Sequence, residues 1–190
     1  MLTKERQDEI IDLVKQINID SEKYQLMHAI FAIENMFQKK MQQDWQNEYN
    51  DIREKIKNTS NQDELEMLFE KARELNKESM HKVTIVVEYI TNLEVGNARI
   101  STTENRNFQI TLPKDMENIR NDDGTINMEA LTALRKLMAH ELGHVVLHSG
   151  ILTDVEIDDL NKGSEEEAEF FAEKLLELRR IHNEEVHSKF

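Results

Sequence analysis

Nine apolar residues, Leu26, Ile30, Ile33, Phe37, Met41, Trp45, Tyr49, Ile52 and Ile56, recur every three or four positions with no glycine or proline between them. That spacing keeps one narrow face of a long helix apolar from end to end. Such a seam must be covered. Either the chain folds its own helices onto it, or a second copy does, which makes the N-terminal helices a candidate dimer surface. Ile10, Ile11, Val14 and Ile17 show the same spacing upstream. After "NTSNQD", where Ser60 or Asn61 can serve as an N-cap, Leu65, Leu68, Phe69, Ala72 and Leu75 resume it. The whole sequence holds one proline and five glycines, so little interrupts these helices. Residues 1–80 read as a helical hairpin or small bundle.

The middle of the chain changes period. "HKVTIVVEYI" is rich in β-branched and aromatic residues and predicts a strand. "ARISTT" and "NFQITLP", joined by the polar "ENRN", predict an antiparallel hairpin. Pro113 ends the second of these strands and suits an edge position. Helix returns from about Met128 to Ser149, closed by Gly150, and a last helix starts near Ser164. "NDDGTINMEAL" superficially resembles a calcium loop. Aligned on Gly124, however, it puts Ile119 and Ala130 where oxygen donors are required. Asp122, Asp123 and Gly124 instead make a turn, and Asn127 caps the following helix.

The net charge of −14 argues against direct nucleic-acid binding, which needs a basic surface to neutralise phosphates. The acidic clusters "TDVEIDD" and "SEEEAE" read as a solvated face. With no cysteine, disulfides and thiolate zinc sites are ruled out, and a reducing compartment is the natural home. "MLTKERQDEIID" lacks the apolar core of a signal peptide, and no apolar run approaches the ~20 residues of a membrane helix. The expectation is a soluble, cytoplasmic protein.

The chemistry concentrates in "MAHELGHVVLHSG". His140 and His144, four residues apart on a helix, lie one turn apart on one face, so both imidazoles can reach a single ion. Glu141 sits about 100° round the helix, too far to ligate naturally but able to reach a water beside the ion. This is the H-E-x-x-H arrangement of zinc peptidases. Leu131, Leu134, Met138, Leu142, Val145 and Val146 cluster opposite His140 and form a core face. Gly143 costs about 1 kcal/mol against alanine in mid-helix, which is explained if another element approaches closely there.

A catalytic zinc needs a third protein ligand and one open position. His148 lies a further turn along, and three successive turns cannot converge on one ion. It is expected to line the cleft or to sit at the helix C-terminus. In "GSEEEAEFFAEKLL", Ser164 and Glu167 form a capping-box pattern. Helix phase adds a second meaning. Phe171, Leu175 and Leu178 lie at about 40°, 80° and 20° from Glu167, so Glu167 is the carboxylate centred on the inward face. An inward carboxylate is costly without a cation or metal beside it. Glu167 is therefore the expected third ligand, with His140 and His144.

"MAHELGHVVLH" followed by "EEEAEFFAEKLL" resembles the ImmA/IrrE metallo-endopeptidases, gluzincin-type zinc proteins with A-H-E-x-G-H-x-x-x-H and then E-A-N-x-F-A-x-x-L-L. The match is strong over these two helices and extends to the strand region from about residue 81 by general layout. Glu169 stands where the family has asparagine, and no proline follows Leu175 and Leu176. The resemblance implies one zinc per chain held by His140, His144 and Glu167, with Glu141 catalytic. It also implies action on helix-turn-helix repressors of bacteria or their mobile elements. The fold expected is α+β and zincin-like. Residues 1–60 form a helical extension. Residues 61–190 form the peptidase domain, a small antiparallel or mixed sheet of about three strands on the two motif helices. His148 and Tyr89 are candidates for the cleft or for stabilising the oxyanion, and "NFQITLP" for an edge strand that aligns an extended peptide. Two other functions fit the same motifs: a metal-binding sensor that cleaves nothing, and an interaction module with a structural metal.

Overall fold

The computed structural model describes residues 2–20, 26–78, 82–91, 99–102, 107–152 and 162–187. The joining segment "ENRN" and the acidic "TDVEIDD" fall largely or wholly outside them. Helices α1 (Lys4–Asp20), α2 (Leu26–Asn58) and α3 (Gln62–Glu78) come first. Strands β1 (Thr84–Ile90), β2 (Arg99–Thr102) and β3 (Asn107–Pro113) follow, with a short 3-10 turn over Lys114–Glu117. Helices α4 (Met128–His148) and α5 (Lys162–His187) close the order.

The helix ends follow local chemistry. Asn61 Oδ1 accepts from the Asp63 and Glu64 amides at 3.0 and 3.4 Å. Asn127 does the same for Glu129 and Ala130 at 3.1 and 3.0 Å. Each satisfies amides that a first turn leaves without partners. Gly150, at φ +68°, takes the left-handed position that ends α4. Helix α5 already begins at Lys162, so Ser164 lies inside it, not at its cap.

The sheet is mixed, in the order β1-β3-β2. Strands β2 and β3 pair antiparallel, Ile100 opposite Ile110, as the hairpin reading expects. Strand β1 pairs parallel with the other side of β3, from Thr84 opposite Asn107 to Ile90 opposite Pro113. Strand β3 is therefore central, and the expectation that it forms an edge is corrected. Its Phe108, Ile110 and Leu112 are buried in the core. Pro113 is tolerated because it stands at the strand's last pair, where a missing N–H costs little. The outer edge of β1 is partly covered by α2. Glu34 Oε1 accepts from the Ile85 amide at 2.7 Å, and Gln38 Oε1 from the Val83 amide at 3.1 Å. Side-chain acceptors thus blunt one edge of the sheet.

One apolar cluster joins Ile10, Val14 and Ile17 of α1, Ile30, Ile33 and Phe37 of α2, the sheet, and α4 and α5. Phe37 meets Phe108 edge-to-face, ring centres 5.5 Å apart. The first half of the long seam is thus covered from within the chain. The core runs across residue 60, where the sequence suggests a boundary. Farther out, α2 packs with α3, where Ile52 is 2% exposed and the Trp45 indole N–H donates to the Leu75 carbonyl at 2.9 Å.

Candidate metal centre

Helix α4 is buried from Met138 to His148 apart from the half-buried His140, and α5 lies along it. Gly143 makes that approach possible. A Cβ there would stand 3.0 Å from both Cα and O of Ala168 and 3.2 Å from Phe171 Cδ1. The close neighbour expected at this glycine is therefore the backbone of α5.

Contact at Ala168 sets the first turns of α5 opposite the histidines. His140 Nε2 and His144 Nε2 are 3.2 Å apart. Glu165 spans them, Oε2 at 3.2 Å from His140 Nε2 and Oε1 at 3.4 Å from His144 Nε2. A four-coordinate ion with bonds of about 2.0–2.1 Å places its ligand atoms about 3.3 Å apart. The observed separations match that spacing, and two imidazoles with a carboxylate are a fitting donor set. His140, His144 and Glu165 can hold a metal ion.

Glu167 is elsewhere. Arg6 of α1 grips it with two parallel bonds, Nε to Oε1 at 3.0 Å and Nη2 to Oε2 at 2.7 Å. Its Oε2 also lies 3.1 Å from His148 Nε2. The sequence argument that an inward carboxylate needs a cation holds, but the cation is a guanidinium. Of the expected ligands, His140 and His144 are brought together with Glu165, which lies about 160° round α5 from Glu167. Burial alone would raise the Glu167 pKa. The bonds from Arg6 and His148 outweigh it and hold the carboxyl below its ordinary range. Glu167 in turn raises the Arg6 pKa.

His148 does not line a cleft. It is 1% exposed, and its Nδ1 is 3.1 Å from His144 Nδ1. Burial lowers its pKa. Tyr89 packs against the core from β1, and burial, with the charge of Glu117, raises its pKa. Among the described contacts, none joins it to the histidines.

Glu141 is 6% exposed, and burial, then the negative charge of Glu165, pushes its pKa up to about 7. His144 is brought down to about 4, chiefly by burial, against the pull of Glu165. Glu169 Oε2 lies 3.6 Å from His140 Nδ1, within ion-pair range but beyond a hydrogen bond. An open groove lined by Leu2, Gln7, Glu169 and Phe170 leads to His140 and Glu165.

Sequence reading missed Glu165 and Arg6. Helix phase centres Glu167 on the apolar face and leaves Glu165 off it, so no phase argument selects Glu165. Arg6 stands 161 residues from Glu167, and no local pattern joins them. Compared with protein-family models, curated proteins and solved structures, the chain matches none.

Proposed function

We propose that this chain is a zinc-dependent endopeptidase of the H-E-x-x-H kind, acting on a protein substrate, with a helix-turn-helix repressor as the leading candidate. The observation that carries the reading is the convergence of His140 Nε2, His144 Nε2 and the Glu165 carboxylate beside a buried Glu141. The repressor comes from the resemblance of "MAHELGHVVLH" and "EEEAEFFAEKLL" to the ImmA/IrrE peptidases.

In this reading His140, His144 and Glu165 would hold one zinc, a donor set of two imidazoles and one carboxylate. Zinc supplies a Lewis acid that polarises the scissile carbonyl and makes water acidic enough to attack near neutral pH. Glu141 then moves the protons. Its carboxylate takes one from the attacking water and returns it to the leaving amine nitrogen. A carboxyl whose pKa stands near 7 in the bare site suits both halves of that task. Extended substrate needs a free strand edge. Glu34 and Gln38 take amides at the start of β1, and among the described strands β2, packed near α4, is the outer strand on the other side of the sheet and the candidate for pairing.

The test is metal analysis with cleavage. Purified protein should bind about one zinc per chain, and His140→Ala, His144→Ala and Glu165→Ala should each abolish tight binding. Glu141→Gln should keep the zinc and slow cleavage of a repressor encoded beside the gene by about 10²–10⁴-fold. Tight zinc binding by Glu165→Ala would move the metal elsewhere. Unchanged cleavage by Glu141→Gln would remove the mechanism. Zinc binding and repressor binding without any cleavage would favour the sensing module.

A further inference from the structure

The two bonds between Arg6 and Glu167 start a chain that ends at the metal site. A guanidinium has donors and no acceptor, and it keeps its charge in proteins. Glu167, gripped at both oxygens, is ionised and can only accept. The nitrogen facing it, His148 Nε2 at 3.1 Å, must therefore carry a hydrogen. His148 is buried and neutral, because Arg6 already balances the carboxylate, so its Nδ1 is bare and accepts. The atom 3.1 Å away is His144 Nδ1, which must then be the donor. That leaves the His144 Nε2 lone pair facing His140 Nε2 and Glu165. Each link removes one of the two options at the next.

We propose that Arg6, Glu167 and His148 are positioning residues that lock His144 into its Nδ1–H tautomer, so that Nε2 is presented to the metal. The proposal rests on the reading of His140, His144 and Glu165 as the metal ligands. It gives α1 a part in the site. The helix is more than a cover for the core, because it delivers the guanidinium that orients the whole line. Hydrogen bonds to the far nitrogen of a ligating imidazole commonly fix its orientation and change metal affinity about 10–100-fold.

Two measurements on the full chain test this. In metal-free wild type, nitrogen-15 correlation spectra of the imidazoles should show His144 as the Nδ1–H tautomer and His148 as the Nε2–H tautomer. A His144 carrying its hydrogen on Nε2 overturns the proposal, whatever the protein does with metal. The second measurement is affinity for Zn2+ and Co2+ in competition with a chelator. His148→Phe removes the acceptor for His144 and should weaken binding about 10–100-fold. His148→Gln offers an amide oxygen to the same hydrogen and should restore most of that loss. Arg6→Gln and Arg6→Lys should both weaken binding, because neither reproduces the two parallel bonds. If these four variants bind metal within twofold of wild type while His140→Ala and Glu165→Ala do not, the positioning chain is refuted and the metal site stands. If His140→Ala and Glu165→Ala also bind like wild type, the metal site itself is refuted.

Discussion

At the scale of single residues, the site sets two buried groups against each other in pH. Burial brings the His144 pKa down to about 4 from the ordinary 6.5, so the unfolded chain binds its proton more readily. Stability from His144 is present above pH 6.5 and is lost as pH falls toward 4. Glu141 runs the other way. Its folded pKa of about 7 lies above the ordinary 4.5, so its contribution is full below pH 4.5 and is lost as pH rises through 7. Between 4.5 and 6.5 the two oppose. As pH falls from 6.5 to 4.5, metal-free Glu141→Gln should therefore lose melting temperature relative to wild type, and His144→Asn should gain it, as calorimetry at half-unit steps would read. Parallel curves for all three proteins would mean neither group is buried as described. The same scale shows where sequence reading stops. Helix phase placed Glu167 inward and demanded a cation, which is sound physics. Which cation answers is a question of tertiary packing, and Arg6 lies at the far end of the chain.

Between elements, the α4–α5 contact governs the site. Gly143 shows what a single methyl does there. Alanine gains about 1 kcal/mol of helix propensity. Against that, its Cβ meets the backbone of Ala168 at 3.0 Å, and a backbone cannot swing aside as a side chain can. Overpacking typically costs about 1–3 kcal/mol, so the balance is unfavourable. Gly143→Ala should melt a few degrees lower and, because Glu165 lies within the displaced turns, bind zinc more weakly. Higher stability with full zinc affinity would show that α5 gives way freely. The glycine, the caps at Asn61 and Asn127 and the antiparallel pairing of β2 with β3 were legible, since each is a local rule, whereas the Ser164 cap was not. The strand order was not. Parallel pairing of β1 with β3 joins segments across the hairpin, and nothing in "NFQITLP" distinguishes a central strand from an edge.

Across the whole molecule, α1 and the first half of α2 belong to the same core as α4 and α5. Their apolar spacing was plain in the sequence. Their partners were not, because an amphipathic face states that it is buried and leaves open against what. The outer half of α2 differs, because α3 packs chiefly on it and the central cluster stops short of it. Such a projection is held by few buried side chains and opens at lower free energy than the core. The protein has one tryptophan, and it sits there, stacked on Tyr49 with ring centres 5.3 Å apart and bonded to the Leu75 carbonyl. Emission from this tryptophan, excited selectively, thus reports on α2 and α3. On heating, the emission maximum should shift red before far-ultraviolet dichroism records loss of the core helices, and zinc should raise the second transition while leaving the first in place. Superimposed transitions that zinc raises together would show the hairpin and core melting as one. An experimenter who follows this protein by its tryptophan emission alone would be watching α2 and α3, and would see the cluster of His140, His144 and Glu165 rearrange without any change in signal.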